Sequence, residues 1–392
     1  MTIAETSAGS GPATQPQQPV HARAIIIGTG FSGLGMAIKL QQQGVDFVIL
    51  EKADDVGGTW RDNSYPGCAC DIPSHLYSFS FDPKPDWKNP FSYQPEIWDY
   101  LKGITEKYGL RRFIEFNSLV DRGHWDEDEN RWHVFTADGR EYVGQFLISG
   151  AGALHIPSIP DIEGRDEFRG PAFHSAEWDH SVDLTGKRVA VIVTGASAIE
   201  FVPEIVGQVA ELQLYQRTPA WVVPRSNPEI PVAVRRAMEN VPGLRAAARL
   251  GIYWAQEALA IGMTKRPNML KFIEAYAKHN IRRSVKDREL RRKLTPHYRL
   301  GCKRILNSST YYPAVANPKT KLITDPITRI TPDGILTADG TKHNVDVIVY
   351  GTGFHVTDSY TYVQIKGRNG EDLVDRWNRE GIGAHRGITV AD

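Results

Sequence analysis

Cysteine is scarce in this sequence: three residues in 392, namely Cys68, Cys70 and Cys302. The close pair has C-x-C spacing, too tight for a C-x-x-C redox motif, and no metal-type partners flank it. A disulfide framework and a dithiol reductase are therefore disfavoured, and a reducing cytoplasm is the expected setting. An excess of charge of either sign is also missing. Lys plus Arg and Asp plus Glu number 46 each, so no global field draws in nucleic acid or an anionic membrane, and small molecules are the expected partners. No uncharged apolar run approaches the roughly 18 residues that mark a transmembrane helix. Residues 1–20 lack the basic and apolar regions of a secretion signal, and a disordered tail is expected over 1–22.

What is present is apolar material, 41% AVILMFWYC with 10% aromatics, enough for at least two buried cores. Residues 23–51, RAIIIGTGFSGLGMAIKLQQQGVDFVILE, run from an apolar stretch through a Gly-rich turn and a helix-period segment to a second apolar stretch. That is one βαβ unit, with Gly44 as helix stop. Residues 188–217, RVAVIVTGASAIEFVPEIVGQVAELQLYQR, repeat the order. A second echo pairs FLISGAGA (146–153) with VIVYGTGF (347–354). Each is a strand entering a small-residue turn, where backbone can pass close to a cofactor or another strand, and these are the expected domain crossings. Between 231 and 294 the pattern turns helical. The predicted fold class is α/β: two Rossmann-like dinucleotide-binding domains with a helical insertion. The block 282–304 holds ten Lys or Arg against two acids and reads as a solvated helix face except for its last two residues.

Gly28-Thr-Gly30-Phe31-Ser32-Gly33 follows a strand and opens a helix, the context that gives this motif meaning. The first Gly permits the tight turn, the second lets backbone approach a pyrophosphate, and the third allows close helix packing, with phosphate on the helix N-terminus. Glu51 ends the next strand, with Lys52 after it, and can accept hydrogen bonds from ribose hydroxyls. A carboxylate there repels a 2′-phosphate, so the site suits FAD or NAD. In the second unit Arg217 and Thr218 stand in the places of Glu51 and Lys52, and a planar guanidinium there pairs with the 2′-phosphate of NADPH. The chain thus reads as binding FAD first and NADPH second, which implies electron transfer from nicotinamide to flavin. The second turn, Val193-Thr194-Gly195-Ala196-Ser197-Ala198, has a β-branched residue where the first glycine belongs. Weakened NADPH binding is expected, tightened in Val193→Gly.

Residues 168–180, FRGPAFHSAEWDH, match the F-x-G-x-x-x-H-x-x-x-W-[PD] fingerprint at Phe168, Gly170, His174, Trp178 and Asp179. Residues 57–71, GGTWRDNSYPGCACD, match a second signature at Gly58, Trp60, Tyr65, Pro66, Gly67 and Asp71. On these motifs the sequence resembles the type I Baeyer–Villiger monooxygenases, within the flavin-containing monooxygenases; Trp178, where the sister group usually has Tyr, points to the Baeyer–Villiger branch. The resemblance implies that the fingerprint segment links the two nucleotide domains and couples their movement. It also places Thr59, Trp60, Asp71, Tyr77 and Val120 at the flavin, with Cys68 and Cys70 as small lining residues, and picks out Lys303-Arg304 as the active-site pair. His174 is not expected to be a base.

What the resemblance implies chemically is insertion of oxygen beside a ketone carbonyl, giving an ester or lactone through a C4a-peroxyflavin, with dioxygen and NADPH consumed. A fixed cation stabilises the negative charge that develops, and Arg stays charged near pH 7. Arg304 is therefore the expected catalytic residue, Asp71 the group that orients it, and Lys303 a point charge for the NADPH phosphate. The expected domains are FAD-binding over 23–152 plus 356–392, NADPH-binding over 153–224 plus 300–355, and a helical insertion over 225–299. Family members continue past GITVAD (387–392) with a segment that closes the FAD domain, so an incomplete FAD site is a further expectation. Two alternatives stand beside this reading: a flavin monooxygenase oxidising nitrogen or sulfur, and a weakly active or inactive flavin-binding remnant acting as an NADPH oxidase.

Overall fold

The computed structural model describes residues 18–192, 195–265, 270–356 and 359–390. The chain forms two compact units, Met1–Asp55 with Gly109–Ala151 and Tyr360–Asp392, and Val56–Tyr108 with Gly152–Ser359.

In the first unit the strands Val20–Ile27 and Phe47–Leu50 lie side by side and parallel, with Ile25 opposite Val48 and Ile26 opposite Ile49. Every residue of FVIL is buried. That is why these strands read as continuous apolar runs rather than alternating ones: a central parallel strand is covered on both faces. The helix Phe31–Gln42 connects them and buries Gly33, Leu34, Ala37 and Ile38 on one side. The sheet has seven strands, ordered 364–366, 120–126, 131–136, 141–149, 20–27, 47–50 and 114–115. Val20 already pairs with Tyr142, so the expected tail over 1–22 is too long by its last three residues. Hydrogen bonding to the 141–149 strand orders them, which apolar content alone does not reveal.

The second unit is built on a five-stranded parallel sheet, ordered 320–323, 211–215, 188–192, 347–350 and 172–174. The helix Ala198–Ile205 joins the 188–192 and 211–215 strands, as the second βαβ reading requires. The helical insertion consists of Val232–Asn240, Leu244–Thr264, Leu270–Ser284 and Arg288–Leu294. Residues 56–108, expected in the first dinucleotide domain, group with this second unit. Their helix Gln94–Lys107 buries Ile97, Leu101 and Ile104. Which core an amphipathic stripe joins is a tertiary property that its period does not carry. The crossing near FLISGAGA falls between 151 and 152, and the one after VIVYGTGF between 359 and 360.

Candidate active site

The first glycine motif sits where the 20–27 strand ends. Gly28 has φ +92°, and a Cβ there would lie 2.9 Å from the Gly150 carbonyl oxygen. A Cβ at Gly33 would clash outright with the Gly28 carbonyl oxygen, far inside contact distance, whereas one at Gly30 would meet nothing within 4 Å. Two glycines therefore let the helix sit down on the strand end, and the third leaves open space. Phe31 and Ser32 begin a helix whose first turn carries no acid, which suits an anion at its N-terminus. Glu51 is 3% exposed. Its Oε2 accepts from the Thr29 N–H at 2.9 Å and the Thr29 hydroxyl at 2.6 Å, and its Oε1 from the Ala53 N–H at 3.1 Å. Thr29, unremarked as an x position, thus locks the acid against the turn. Lys52 is exposed, and Val120 is buried at the start of the 120–126 strand.

The second signature, residues 57–71, and Tyr77 lie in the second unit. Thr59 and Trp60 open the single-turn helix Thr59–Asp62. The Trp60 indole donates its Nε1–H to the Tyr77 hydroxyl at 3.0 Å, with the rings edge to face at 5.5 Å. Burial pushes the Tyr77 phenol up to about 12, so it stays neutral and available as acceptor. Tyr77→Phe should leave the indole N–H unpaired and lower stability by about 1–3 kcal/mol, measurable as a shifted denaturant midpoint with unchanged slope. Arg304 donates a hydrogen bond to the Asp71 carboxylate across 233 residues of sequence. The Lys303 ammonium lies over the Tyr298 ring at 5.1 Å. Cys68 and Cys70 are buried, and desolvation pushes both thiols up, Cys70 to about 12. Neither is a nucleophile at neutral pH.

The second nucleotide-type turn holds Gly195, Ala196 and Ser197, with Ala198 fully buried at the helix start. Val193 and Thr194 lie outside the described residues. Arg217 and Thr218 follow the 211–215 strand and are exposed, and no ion pair engages Arg217 among the described residues. The basic block is the solvated face expected, with Arg282, Arg283, Lys286, Arg288 and Arg292 exposed. Gln216 donates to the Lys293 carbonyl at 2.9 Å, and Arg282, Arg288, Arg291 and Arg292 line an open cavity of about 920 Å³.

The 168–180 fingerprint is built into the edge of the five-stranded sheet. Residues Ala172–His174 form its outer strand, and a Cβ at Gly170 would collide with the Asp346 carbonyl oxygen and crowd the Phe168 ring. His174 is 1% exposed and its Nδ1 accepts from the Ala176 N–H at 3.1 Å. Burial pushes its pKa down to about 4, opposed by the Gly353 carbonyl. A neutral, packed imidazole is no general base here. Trp178 packs between Phe173 and Phe201, each at 5.3 Å, and Asp179 closes a local turn by accepting from the Ser181 N–H at 2.9 Å.

The sequence signature of the flavin-binding monooxygenase-like family matches residues 21–234. A Baeyer–Villiger monooxygenase of Pseudomonas aeruginosa is 46% identical over 381 residues, covering 96% of this chain and 72% of that protein. One from Streptomyces coelicolor is 48% identical over 373 residues, 95% of this chain and 71% of the other. This chain belongs to the Baeyer–Villiger flavin-binding monooxygenases. The fold agrees: cyclohexanone monooxygenase from Rhodococcus sp. Phi1, solved bound to NADP+, superposes with a TM-score of 0.82 at 31% identity, over 92% of this chain and 76% of that one. This monooxygenase carries no helix, among the described residues, long and apolar enough to cross a membrane, and no group of three His, Cys, Asp or Glu placed to hold a metal.

Sequence reasoning missed the partners of these motifs in this monooxygenase. Tyr65 and Pro66 were read as signature letters, yet Tyr65 donates to the Glu200 carboxylate at 2.9 Å. Arg225, two residues beyond the strand Val222–Val223, donates to the Cys70 carbonyl at 3.1 Å. An acid in the first turn of the second dinucleotide helix, where the first has none, was the available signal.

Proposed function

We propose that this monooxygenase takes FAD at the Gly28–Gly33 turn and NADPH at the Gly195–Ala198 turn, and inserts one oxygen of O2 beside the carbonyl of an organic ketone. The residues fit both groups. The open space at Gly30 and the acid-free first helical turn suit a pyrophosphate, and the exposed guanidinium of Arg217, in no ion pair among the described residues, suits a 2′-phosphate. When bound, they supply two-electron reduction and the activation of dioxygen.

The observation that carries the reading is the Asp71–Arg304 hydrogen bond. A guanidinium remains charged at any working pH and stabilises negative charge developing on oxygen in the reaction. Asp71 fixes its orientation beforehand, so no reorganisation is needed as charge develops. The Arg304 side chain is 60% exposed, which leaves its other N–H groups open to a reacting molecule. Lys303 offers the NADPH phosphates a compact charge. With NADPH, O2 and cyclohexanone as probe, lactone containing one atom of labelled dioxygen is the expected product. Sulfoxide from a thioether, with no lactone, would favour the nitrogen- or sulfur-oxidising alternative.

Arg217→Ala should raise KM for NADPH about ten- to a hundredfold, the worth of a charge-assisted hydrogen bond, while kcat changes little. Preference for NADPH over NADH should shrink by the same factor, which steady-state kinetics with both coenzymes would read directly.

A further inference from the structure

A buried carboxylate sits behind the Asp71–Arg304 pair. Glu200 lies in the first turn of the helix Ala198–Ile205 with its side chain 9% exposed, and Arg225, 12% exposed, faces it at 3.8 Å. Both side chains reach the turn that carries Asp71. Glu200 Oε2 accepts from the Tyr65 hydroxyl at 2.9 Å and from the Ala69 N–H at 3.4 Å. Arg225 donates to the Cys70 carbonyl at 3.1 Å, its guanidinium 5.1 Å from the Phe91 ring centre. Gly67 packs so close that a Cβ there would stand 2.9 Å from the Glu200 carbonyl oxygen.

The Arg304 end is tied to the same residues. Arg225 follows the strand Val222–Val223, whose parallel partner Leu306–Asn307 begins two residues beyond Arg304. The Leu306 N–H donates to the Trp221 carbonyl at 2.9 Å, and the Ser309 hydroxyl to the Arg225 carbonyl at 2.8 Å.

A buried ion pair is a poor way to gain stability, because apolar residues of equal volume often do as well or better. Its use is to demand one geometry, since either member left alone is an uncompensated charge. We propose that Glu200 and Arg225 are positioning residues, which together hold the 65–71 turn and the 306–307 strand in the register that lets Asp71 meet Arg304. This rests on the reading of Arg304 given above.

The charged and titratable groups around Glu200 are Tyr65, Cys68, Cys70, Asp71 and Arg225. Burial raises Glu200 to about 7, helped by Asp71 and opposed by the Tyr65 hydrogen bond, the Arg225 charge and the Ala69 N–H. Burial pushes Tyr65 and both thiols upward, away from neutrality. As pH falls through neutrality Glu200 gains a proton, and Arg225 loses its counter-charge.

Glu200→Gln retains an acceptor for both hydrogen bonds and removes only the charge facing Arg225; Arg225→Met removes the other member. In the full-length protein, backbone hydrogen exchange should rise about tenfold or more within 65–71 and 303–308 in both variants and stay unchanged in 320–323. With cyclohexanone as probe, lactone formed per NADPH consumed should fall about ten- to a hundredfold, the scale of a small misplacement, while anaerobic flavin reduction is unchanged. Wild-type yield should be higher on the alkaline side of an inflection near neutral pH that Glu200→Gln lacks, and the double variant should be no worse than the worse single one. Unchanged exchange, raised exchange with undiminished lactone yield, or an inflection persisting in Glu200→Gln would each overturn the proposal. Should Glu200→Gln not fold, Tyr65→Phe is judged by the exchange and yield readouts. Lactone at full yield from Arg304→Ala would instead refute the underlying reading. No lactone from Arg304→Ala beside full yield from Glu200→Gln would refute the positioning role alone.

Discussion

Arg304→Ala should lose ester formation by about 100-fold to 1000-fold, the usual loss on removing a preorganised electrostatic group, yet still allow NADPH to bleach the flavin anaerobically. The side chain is 60% exposed, so its removal opens no core cavity and the fold should survive. What vanishes is a fixed positive charge whose orientation Asp71 maintains. Arg304→Lys restores charge without the planar fork and should recover only part of the loss. NADPH should continue to be consumed, its electrons leaving as hydrogen peroxide instead of entering product. Gas chromatography for lactone, with a parallel peroxide assay, separates the two fates. Wild-type lactone rates in Arg304→Ala would remove this residue from the chemistry.

Gly33→Ala should yield a protein with little flavin. The added methyl would occupy the space of the Gly28 carbonyl oxygen, and Gly28 cannot retreat because it is itself packed on Gly150. The obstruction is backbone on both sides, so no rotamer change relieves it and the helix must lift from the strand. Overpacking of this kind costs about 1–3 kcal/mol, roughly ten- to a hundredfold in a binding constant. Gly30→Ala is the control, because its methyl would meet nothing within 4 Å of protein; the fold should be untouched, and the loss confined to what the methyl displaces from the cofactor. Flavin absorbance per chain after purification measures both. Equal flavin content in Gly33→Ala and the wild type would show that the turn does not close as described.

The local patterns were legible without a structure. An apolar run, a glycine turn and a 3.6-period segment specify a βαβ unit because strand period, helix period and turn chemistry all act over a few residues, and both units formed where those patterns lie. Asp71 and Arg304 were singled out only by the resemblance to the Baeyer–Villiger monooxygenases; by spacing alone Arg304 is one more charge in a basic block. The burial of His174 could not be read from its spacing; it follows from the outer sheet strand lying beneath Phe354. The assignment of 56–108 to a unit, the ordering of Val20–Ala22 and the buried Glu200–Arg225 pair were all invisible in one dimension. An acid at the start of a helix looks like ordinary dipole compensation until Tyr65, 135 residues earlier, is found donating to it. The sequence by itself determined the two nucleotide folds and, through the family resemblance, named the candidate residues, because both rest on patterns of neighbours along the chain. Only the tertiary structure decided which of them meet, because a contact between distant segments is set by which apolar faces share a core, and no local spacing encodes that.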